Sequence, residues 1–255
     1  MDQLGFIGTG TITAALVQGI RASTWRDRPI LLSPRNAATA AQLAGRFPGV
    51  TIAASNQEVA DRAGLLVLAV RPQVAEPVLR SLRLGPGHRV ISLIAGLDHQ
   101  TVADWTGAGQ VCRAIPLPFV AEGRDVTPVF PPHPEALALF DAIGRALPVA
   151  DRTAFDTFAT LSALMGSYFG IAEIASGWAE RQGLPRDQAR TYLGRLFANL
   201  GEVLRAAPLD IERLRTDHST RGGLNEQLFD DFRTQGGDAA LHQALDAVLA
   251  RVRQG

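Results

Sequence analysis

The chain opens with a short apolar run that leads directly into two glycines spaced G-x-G, and a helical pattern follows them. The run at residues 4–7 precedes Gly8 and Gly10, and Thr11 and Ile12 begin the helical pattern. In this context the first glycine permits a tight turn, and the second lets a pyrophosphate approach the backbone N–H groups at the helix start. A third glycine is missing, so a plain helix-capping turn is the alternative. We favour a dinucleotide-binding turn, because a strand–helix–strand pattern surrounds the motif.

The end of the next predicted strand indicates which dinucleotide binds. Residues 29–32 are predicted to form this strand, and Ser33, Arg35 and Asn36 follow it. An enzyme that uses NAD usually carries an acidic residue about 20 residues after the glycines, where it holds the ribose 2′-hydroxyl. No acidic residue stands here, and hydroxyl, guanidinium and amide donors suit a 2′-phosphate. The pattern predicts NADP(H). The alternative is that Arg35 is a solvent-exposed residue at a helix start with no specific ligand.

Short apolar runs alternate with helical patterns through the first part of the chain. Further strands are predicted at residues 50–53, 64–70, 89–95 and 110–115. The run at 64–70 is apolar throughout, as is typical of a strand covered on both faces in a parallel sheet. From about residue 151 the strand signals stop and apolar residues recur at helical spacing. The sequence therefore predicts an α/β fold, with a Rossmann-type doubly wound sheet in residues 1–150 and an all-α domain in residues 151–255.

Composition excludes several classes of function. The formal net charge is zero and no basic run occurs, which argues against nucleic acid and anionic membranes as partners. We identify no run with the apolar length of a membrane span and no secretory signal. One cysteine, Cys112, and five scattered histidines predict no metal site and fit a reducing cytoplasm. All 25 basic residues are arginine, so lysine-dependent catalysis is excluded.

A series of short motifs along the chain carries a resemblance to a known family. The motifs are GFIGTG at residues 5–10, LAVRPQ at 68–73, ISLIAG at 91–96, RAIP at 113–116, EG at 122–123, GLP at 183–185 and STRGG at 219–223. In this order they resemble the pyrroline-5-carboxylate reductase family over essentially the whole chain. The resemblance implies reduction of a cyclic C=N bond by NAD(P)H. It also implies a helical C-terminal domain that intertwines with its twin in a dimer.

Three segments depart from the pattern of that family. After the Arg-x-x-Pro motif the family carries asparagine and threonine, whereas this chain has leucine and proline at residues 117–118. The helix start usually written S-G-S-G-P-A-Y is SALMGSY at residues 162–168, so Leu164 and Met165 replace small residues. The loop usually written S-P-G-G-x-T is TRGGLN at residues 220–225. We expect a divergent member with a more apolar substrate pocket, which turns over pyrroline-5-carboxylate poorly.

The chemistry of imine reduction indicates which side chains matter. A protonated imine accepts hydride far better than a neutral one, so the site must hold the iminium carbon over the nicotinamide and exclude water. Tyr168, Thr220 and Asn225 are the predicted catalytic residues, because they can anchor the substrate. The glycine pair at 222–223 can expose N–H groups as an anion cradle, and Arg221 can pair with a carboxylate. A half-buried core tyrosine and an ordinary inter-helix turn are the alternatives.

The residues predicted to bind the cofactor follow the strands of the first domain, because ligands of open α/β sheets bind beyond the carboxyl ends of the strands. We expect the substrate pocket to form between this edge and the helical domain. The predicted cofactor residues are Gly8, Gly10, Thr11, Ile12, Ser33, Arg35, Asn36, Ala69, Val70, Pro72, Ala95 and Gly96.

Two other functions remain open on the sequence alone. A hydroxyacid dehydrogenase also pairs a Rossmann domain with helices, but such families usually use a lysine in the helical domain, and this chain has none. A catalytically silent NADP-binding protein is the second alternative, because the substrate segments are altered. The expected partners are a small cyclic imine and further copies of this chain. Apolar residues on more than one helix face in residues 151–255 predict a homodimer or larger assembly.

Overall fold

The structure is a computed structural model that describes residues 3–206 and 210–254. The chain divides into two compact units. The first runs to Ser162 and includes the chain from Leu249, and the second runs from Ala163 to Val248. This division lies one helix beyond residue 150, where we placed the domain boundary, because the first helix after the sheet packs on a strand of the sheet.

Eight short strands form the sheet of the first unit. They are β1 (Leu4–Ile7), β2 (Ile30–Leu32), β3 (Val50–Ile52), β4 (Leu65–Leu68), β5 (Arg89–Ser92), β6 (Gln110–Ala114), β7 (Asp125–Phe130) and β8 (Gly144–Pro148). Their order is β3-β2-β1-β4-β5-β6-β7-β8, and only the pairing of β6 with β7 is antiparallel among the strands described. Leu4 of β1 is in register with Ile30 on one side and Leu65 on the other. The predicted doubly wound sheet is confirmed, with β7 and β8 as additions.

Helices cover both faces of the sheet. They are α1 (Thr11–Arg21), α2 (Ala37–Arg46), α3 (Asn56–Arg62), α4 (Ala75–Arg80), α5 (His99–Thr106), α6 (Pro134–Ala142) and α7 (Arg152–Ser162). Because successive side chains of a strand lie on opposite faces of the sheet, Phe6 of β1 lies on one face and Ile7 on the other. Phe6 packs in a core with Leu16 and Phe140, and Ile7 packs in a second core with Leu79. Two buried cores therefore hold the carboxyl ends of the parallel strands in place.

The second unit consists of helices. They are α8 (Leu164–Arg181), α9 (Arg186–Ala206), α10 (Ile211–Asp217), α11 (Leu224–Thr234) and α12 (Gly237–Gln254), of which the residues from Leu249 onward count with the first unit. Between α8 and α9, Gly183 has φ +90°, a left-handed conformation that suits glycine after a helix, and Pro185 precedes the next helix. Within the described chain α8 has no buried residue, and Phe169, Ile174 and Trp178 are exposed on it. The all-α character predicted for this part of the chain is confirmed.

One expectation about membranes is corrected by the structure. The helical run Arg152–Arg181 is long and apolar enough to cross a membrane, with a mean hydropathy of 1.3 over an 18-residue window. The sequence pattern had predicted no run of this length. A helix whose apolar side chains pack against other protein passes the same test, and this run is broken into α7 and α8 at Ala163. A single run of this kind is weak evidence for a membrane partner.

Candidate functional site

The turn after β1 passes closely against the end of β4. Gly8 has φ +99°, and a Cβ added there would lie 2.5 Å from the carbonyl oxygen of Ala69. Both the conformation and the lack of space therefore require glycine at this position. Gly10 has open space around the position of a Cβ, with no atom within 4 Å. The first glycine thus makes the turn, while the second leaves the backbone accessible from outside, as the sequence motif predicted.

Side chains from the end of β2 hold this turn in one conformation. The N–H of Gly8 donates to Ser33 Oγ at 3.0 Å, and the hydroxyl of Thr9 donates to the carbonyl of Ser33 at 3.0 Å. Asn36 donates from Nδ2 to the carbonyl of Thr9 at 2.8 Å and itself has φ +63°. Ser33 is fully buried. In this arrangement Ser33 and Asn36 support the glycine turn through direct hydrogen bonds, a role that the sequence alone did not predict.

The N-terminus of α1 presents backbone donors without a side-chain cap. Gly10 is the N-cap residue and makes no side-chain capping hydrogen bond, and no acidic residue lies in the first turn. Thr13, which could have capped the helix, instead donates to the carbonyl of Gly8 at 2.6 Å. Uncapped N–H groups at a helix N-terminus carry partial positive charge and bind phosphate groups. Thr11 and Ile12 therefore lie where a pyrophosphate group would be held, and the donor set fits a dinucleotide.

Arg35 is the free cation at the end of β2. Its side chain is exposed, and across the described residues no hydrogen bond or ion pair engages it. It stands between Ser33 and Asn36, both of which contact the glycine turn. Since the hydroxyl of Ser33 and the amide of Asn36 already serve the turn, Arg35 is the remaining predicted donor for a 2′-phosphate. Among the three predicted phosphate ligands, the structure leaves the guanidinium most available.

The other predicted cofactor residues follow β4 and β5, which are the next strands in the sheet. Ala69 and Val70 come directly after β4, and Pro72 begins a short 3₁₀ helix, Pro72–Val74. Ala95 and Gly96 lie in the loop after β5, where Gly96 has φ +72°. Strands β2, β1, β4 and β5 are parallel neighbours, so all these segments meet at one edge of the sheet. The structure brings the predicted cofactor residues together along this edge.

A buried charge network next to this edge was missed by the sequence analysis. Arg113 of β6 lies 3.7 Å from Asp156 of α7, and both side chains are 5% exposed or less. Arg152 contacts Asp98 at 3.0 Å and Asp156 at 3.6 Å. Asp98 also caps α5 by accepting from the N–H of Gln100 at 2.8 Å. Because Asp98 stands two residues after Gly96, the network ties the loop after β5 to α7 within the first unit.

Arg113 and Asp156 are the two central members of this network, and both side chains are buried. Burial lowers the pKa of the Arg113 guanidinium, and the nearby Asp156 and Asp98 carboxylates oppose that change. The guanidinium also lies over the ring of Phe155, at 4.6 Å from the ring centroid. Asp156 Oδ1 is buried without a hydrogen-bond partner among the described groups. The Arg-x-x-Pro motif contained Arg113, but the motif gave no sign that its partner would come from a helix more than 40 residues later.

Tyr168 lies in the first half of α8, in the second unit. Its ring contacts Phe169 edge-on at 5.3 Å and Phe197 of α9 at 5.1 Å, measured between centroids. The side chain is 45% exposed. The aromatic contacts orient the ring between two helices of this unit. The anchoring role of Tyr168 stays a prediction.

Thr220 lies on the turn between α10 and α11, and Asn225 is the second residue of α11. Asn225 donates from Nδ2 to the carbonyl of His218 at 2.8 Å, and the N–H of Gly223 donates to the carbonyl of Thr220 at 2.8 Å. The N–H of Gly222, which has φ +71°, donates to Glu226 Oε2 at 2.6 Å. Thr220 is exposed. The two predicted residues thus lie close together in the chain, on the turn and at the start of α11, but the N–H groups that were expected to form an open anion cradle are bound to Glu226 and Thr220.

Two family models match the chain on either side of residue 150. The model described as "NADP oxidoreductase coenzyme F420-dependent" matches residues 3–96, and the model described as "Pyrroline-5-carboxylate reductase dimerisation" matches residues 153–255. Together the matches cover the glycine turn, the strand ends that follow it and the helical unit.

Individual relatives and solved structures are similar to this chain over nearly its whole length. A pyrroline-5-carboxylate reductase of Pseudomonas aeruginosa is 25% identical over 260 residues, which cover 98% of this chain and 95% of that protein. The crystal structure of 1-pyrroline-5-carboxylate reductase from Streptococcus pyogenes has a TM-score of 0.85 at 20% identity, covering 100% of this chain and 99% of that one. The Plasmodium falciparum pyrroline carboxylate reductase with NADP bound has a TM-score of 0.82 at 16% identity, covering 99% and 97%. The two structures share the fold of this chain, and with the family models the relationship extends over both units. The chain is thus similar to pyrroline-5-carboxylate reductases over both units, and its residues 153–255 match the dimerisation domain of that family.

Proposed function

We propose that the protein is an NADPH-dependent reductase that transfers hydride to the C=N bond of a small cyclic imine. The observation that carries the proposal is the fixed Gly8–Gly10 turn in front of the uncapped α1, with a free arginine at the end of the neighbouring strand. This arrangement suits a dinucleotide that carries a 2′-phosphate. Similarity to pyrroline-5-carboxylate reductases over both units supplies the reaction type.

In the proposed reaction, the first unit binds and orients the cofactor. The N–H groups of Thr11 and Ile12 hold the pyrophosphate, and Arg35 pairs with the 2′-phosphate. Bound NADPH supplies a hydride from its nicotinamide ring. The loop at Ala95 and Gly96 flanks the nicotinamide end, because it follows the strand two positions away from β1 in the sheet. The Arg113–Asp156 network keeps this loop in one position, so that the hydride donor and the acceptor carbon can be aligned.

The residues of the second unit are proposed to act on the substrate. Tyr168 offers a phenolic hydroxyl on a ring that two phenylalanines orient, and Thr220 offers an exposed hydroxyl. Asn225 keeps the turn closed through its hydrogen bond to His218, and its amide oxygen remains an acceptor for an N–H group. One hydride adds to the imine carbon and one proton is taken by the nitrogen, which gives a cyclic amine and NADP⁺. These groups orient the substrate, and no covalent intermediate with the protein is needed.

Cys112 takes no part in this chemistry. It is buried on β6, and burial raises the pKa of its thiol to about 12. The side chain therefore stays protonated and unreactive at neutral pH. A lone buried thiol is compatible with action in the cytoplasm, where we propose that the enzyme works.

The proposal is tested by mixing the purified protein with NADPH and a panel of cyclic imines and 2-keto acids, and following the loss of absorbance of the reduced cofactor. We expect turnover with at least one cyclic imine and none with the keto acids. Turnover restricted to keto acids would favour a hydroxyacid dehydrogenase. Cofactor binding without turnover of any substrate would favour a silent NADP-binding protein.

A further inference from the structure

The turn between α10 and α11 carries a negative charge at the position where an anion was expected to bind. The carboxylate of Glu226 accepts the N–H of Gly222 at 2.6 Å. This distance is at the short end of the normal range, as is typical of hydrogen bonds to a charged acceptor. The N–H of the next residue, Gly223, is bound to the carbonyl of Thr220 at 2.8 Å. Both backbone donors of the glycine pair are therefore occupied by groups of this chain.

The position of Glu226 explains why its side chain reaches back to the turn. Gly223 is the N-cap of α11, and Leu224 is the first helical residue, so Glu226 occupies the third position of the helix. A glutamate at this position commonly folds back onto backbone N–H groups just before the helix, and its charge is favourable near the helix N-terminus. Glu226 is also partly buried, whereas Arg221 and Asn225 are exposed. The carboxylate is thus a fixed part of the turn.

Two further side-chain donors next to the turn are also engaged within the chain. The amide of Asn225 donates to the carbonyl of His218, and the hydroxyl of Ser219 donates to the carbonyl of Arg215. Arg221 is the free cation of the turn among the described residues, and its side chain points from an exposed position. An anionic substrate group that approached the N–H of Gly222 would meet the Glu226 carboxylate, which already accepts that N–H at 2.6 Å. Like charges in such close contact repel, whereas a cationic iminium is attracted.

We propose that Glu226 determines substrate specificity by closing this turn to carboxylates, so that the enzyme reduces cyclic imines that carry no carboxylate group. The inference rests on the proposed function, since it assigns the class of imine reduced at the same site. The absence of a carboxylate on the substrate also agrees with the apolar residues Leu164 and Met165 at the start of α8. The predicted substrate is a small cyclic iminium ion, of which protonated 1-pyrroline is the simplest probe.

The experiment compares two imines that differ only in the carboxylate, 1-pyrroline and pyrroline-5-carboxylate, at saturating NADPH. The wild-type enzyme is expected to have the higher kcat/KM for 1-pyrroline. Glu226→Gln keeps an acceptor for the N–H of Gly222 and removes the charge, so it should raise the relative kcat/KM for pyrroline-5-carboxylate by about tenfold or more, mainly through KM. Glu226→Ala also frees the N–H and should raise it further. Glu212→Gln, on the exposed first turn of α10, is the matched control and should leave the ratio unchanged.

A second measurement needs no variant. Raising the ionic strength screens the Glu226 carboxylate, so the KM of the wild-type enzyme for pyrroline-5-carboxylate should fall while the KM for 1-pyrroline does not. A wild-type enzyme that prefers pyrroline-5-carboxylate, or a Glu226→Gln variant whose ratio equals that of Glu212→Gln, would overturn the role of Glu226 and leave the proposed function standing. Failure to reduce either imine, or any other cyclic imine, would overturn both.

Discussion

Arg35→Ala is the sharpest test of how the first unit recognises its cofactor. The side chain is exposed and no described residue pairs with it, so its removal breaks no hydrogen bond or ion pair among the described residues. Ser33 and Asn36 on either side hold the glycine turn through hydrogen bonds that do not involve Arg35. The variant should therefore fold normally and keep the pyrophosphate site intact. Any change in cofactor affinity then reports on the 2′-phosphate alone.

The size of the effect follows from the interaction that is lost. A charge-assisted hydrogen bond between a guanidinium and a phosphate contributes about 1.5–3 kcal/mol. At about 1.4 kcal/mol for each factor of ten, the dissociation constant for NADPH should rise roughly ten- to a hundredfold. NADH lacks the 2′-phosphate, so its dissociation constant should change little. The ratio of the two affinities is the informative quantity, because a general disturbance of the site cancels from it.

Quenching of protein fluorescence or calorimetry measures both dissociation constants at one ionic strength. Arg83→Ala is the matched control, because Arg83 is also exposed but lies before β5, at the amino end of the sheet. This control should leave both affinities unchanged. Equal losses of NADPH and NADH affinity in Arg35→Ala would show that Arg35 does not recognise the phosphate. An unchanged NADPH affinity would also refute the reasoning, and recognition would then have to come from groups other than the guanidinium.

Three further predictions concern the substrate residues, the assembly and the buried network. Tyr168→Phe and Asn225→Ala should each lower kcat about tenfold or more with unchanged NADPH affinity, since they remove polar groups that orient the substrate; loss of NADPH affinity would contradict this role. Sedimentation at micromolar concentration should give a dimer or larger species, because α8 exposes several large apolar side chains; an active monomer would rule this out. Asp156→Ala should lower the free energy of unfolding by about 3 kcal/mol in urea titrations, because Arg113 stays buried without its partner; a loss below about 0.5 kcal/mol would show that the pair is neutral.

The parts of the fold that the sequence predicted are those whose residue pattern matches their surroundings in the structure. The strand at 64–70 is apolar throughout because helices cover both sides of β4, and the glycines at 8 and 10 mark the turn after β1. By contrast, β7 and β8 were not predicted. β7 contains Asp125, Thr127 and Pro128, and β8 begins at Gly144 and ends at Pro148, so neither has an apolar run or regular alternation. Their pairing is determined by neighbouring strands, which the local pattern does not reveal.

The cofactor residues were predicted by position, but their individual roles needed the structure. Ser33, Arg35 and Asn36 form one donor-rich cluster in the sequence, and residue type alone assigned all of them to the phosphate. In three dimensions the serine is buried under the turn and the asparagine bonds to the carbonyl of Thr9, which leaves the arginine exposed. A hydroxyl or amide can bind the backbone as readily as a ligand. The exposed guanidinium of Arg35 makes no such hydrogen bond within the described chain. Short polar side chains near a turn are therefore ambiguous until their partners are known.

The glycine pair at 222–223 was ambiguous in a similar way, because its backbone N–H groups can bind either a ligand or groups of this chain. Two adjacent glycines suggested free N–H groups and hence an anion site, yet the sequence also placed a glutamate three residues after the N-cap of the next helix. That spacing is the capping signal that could have been recognised, because a glutamate there returns to the backbone. The same residue satisfies the turn and repels a substrate carboxylate, so a single local rule accounts for both the stability of the helix start and the proposed specificity. Leu164 and Met165 at the start of α8 act in the same direction, because their apolar side chains offer no hydrogen-bond donor to a carboxylate.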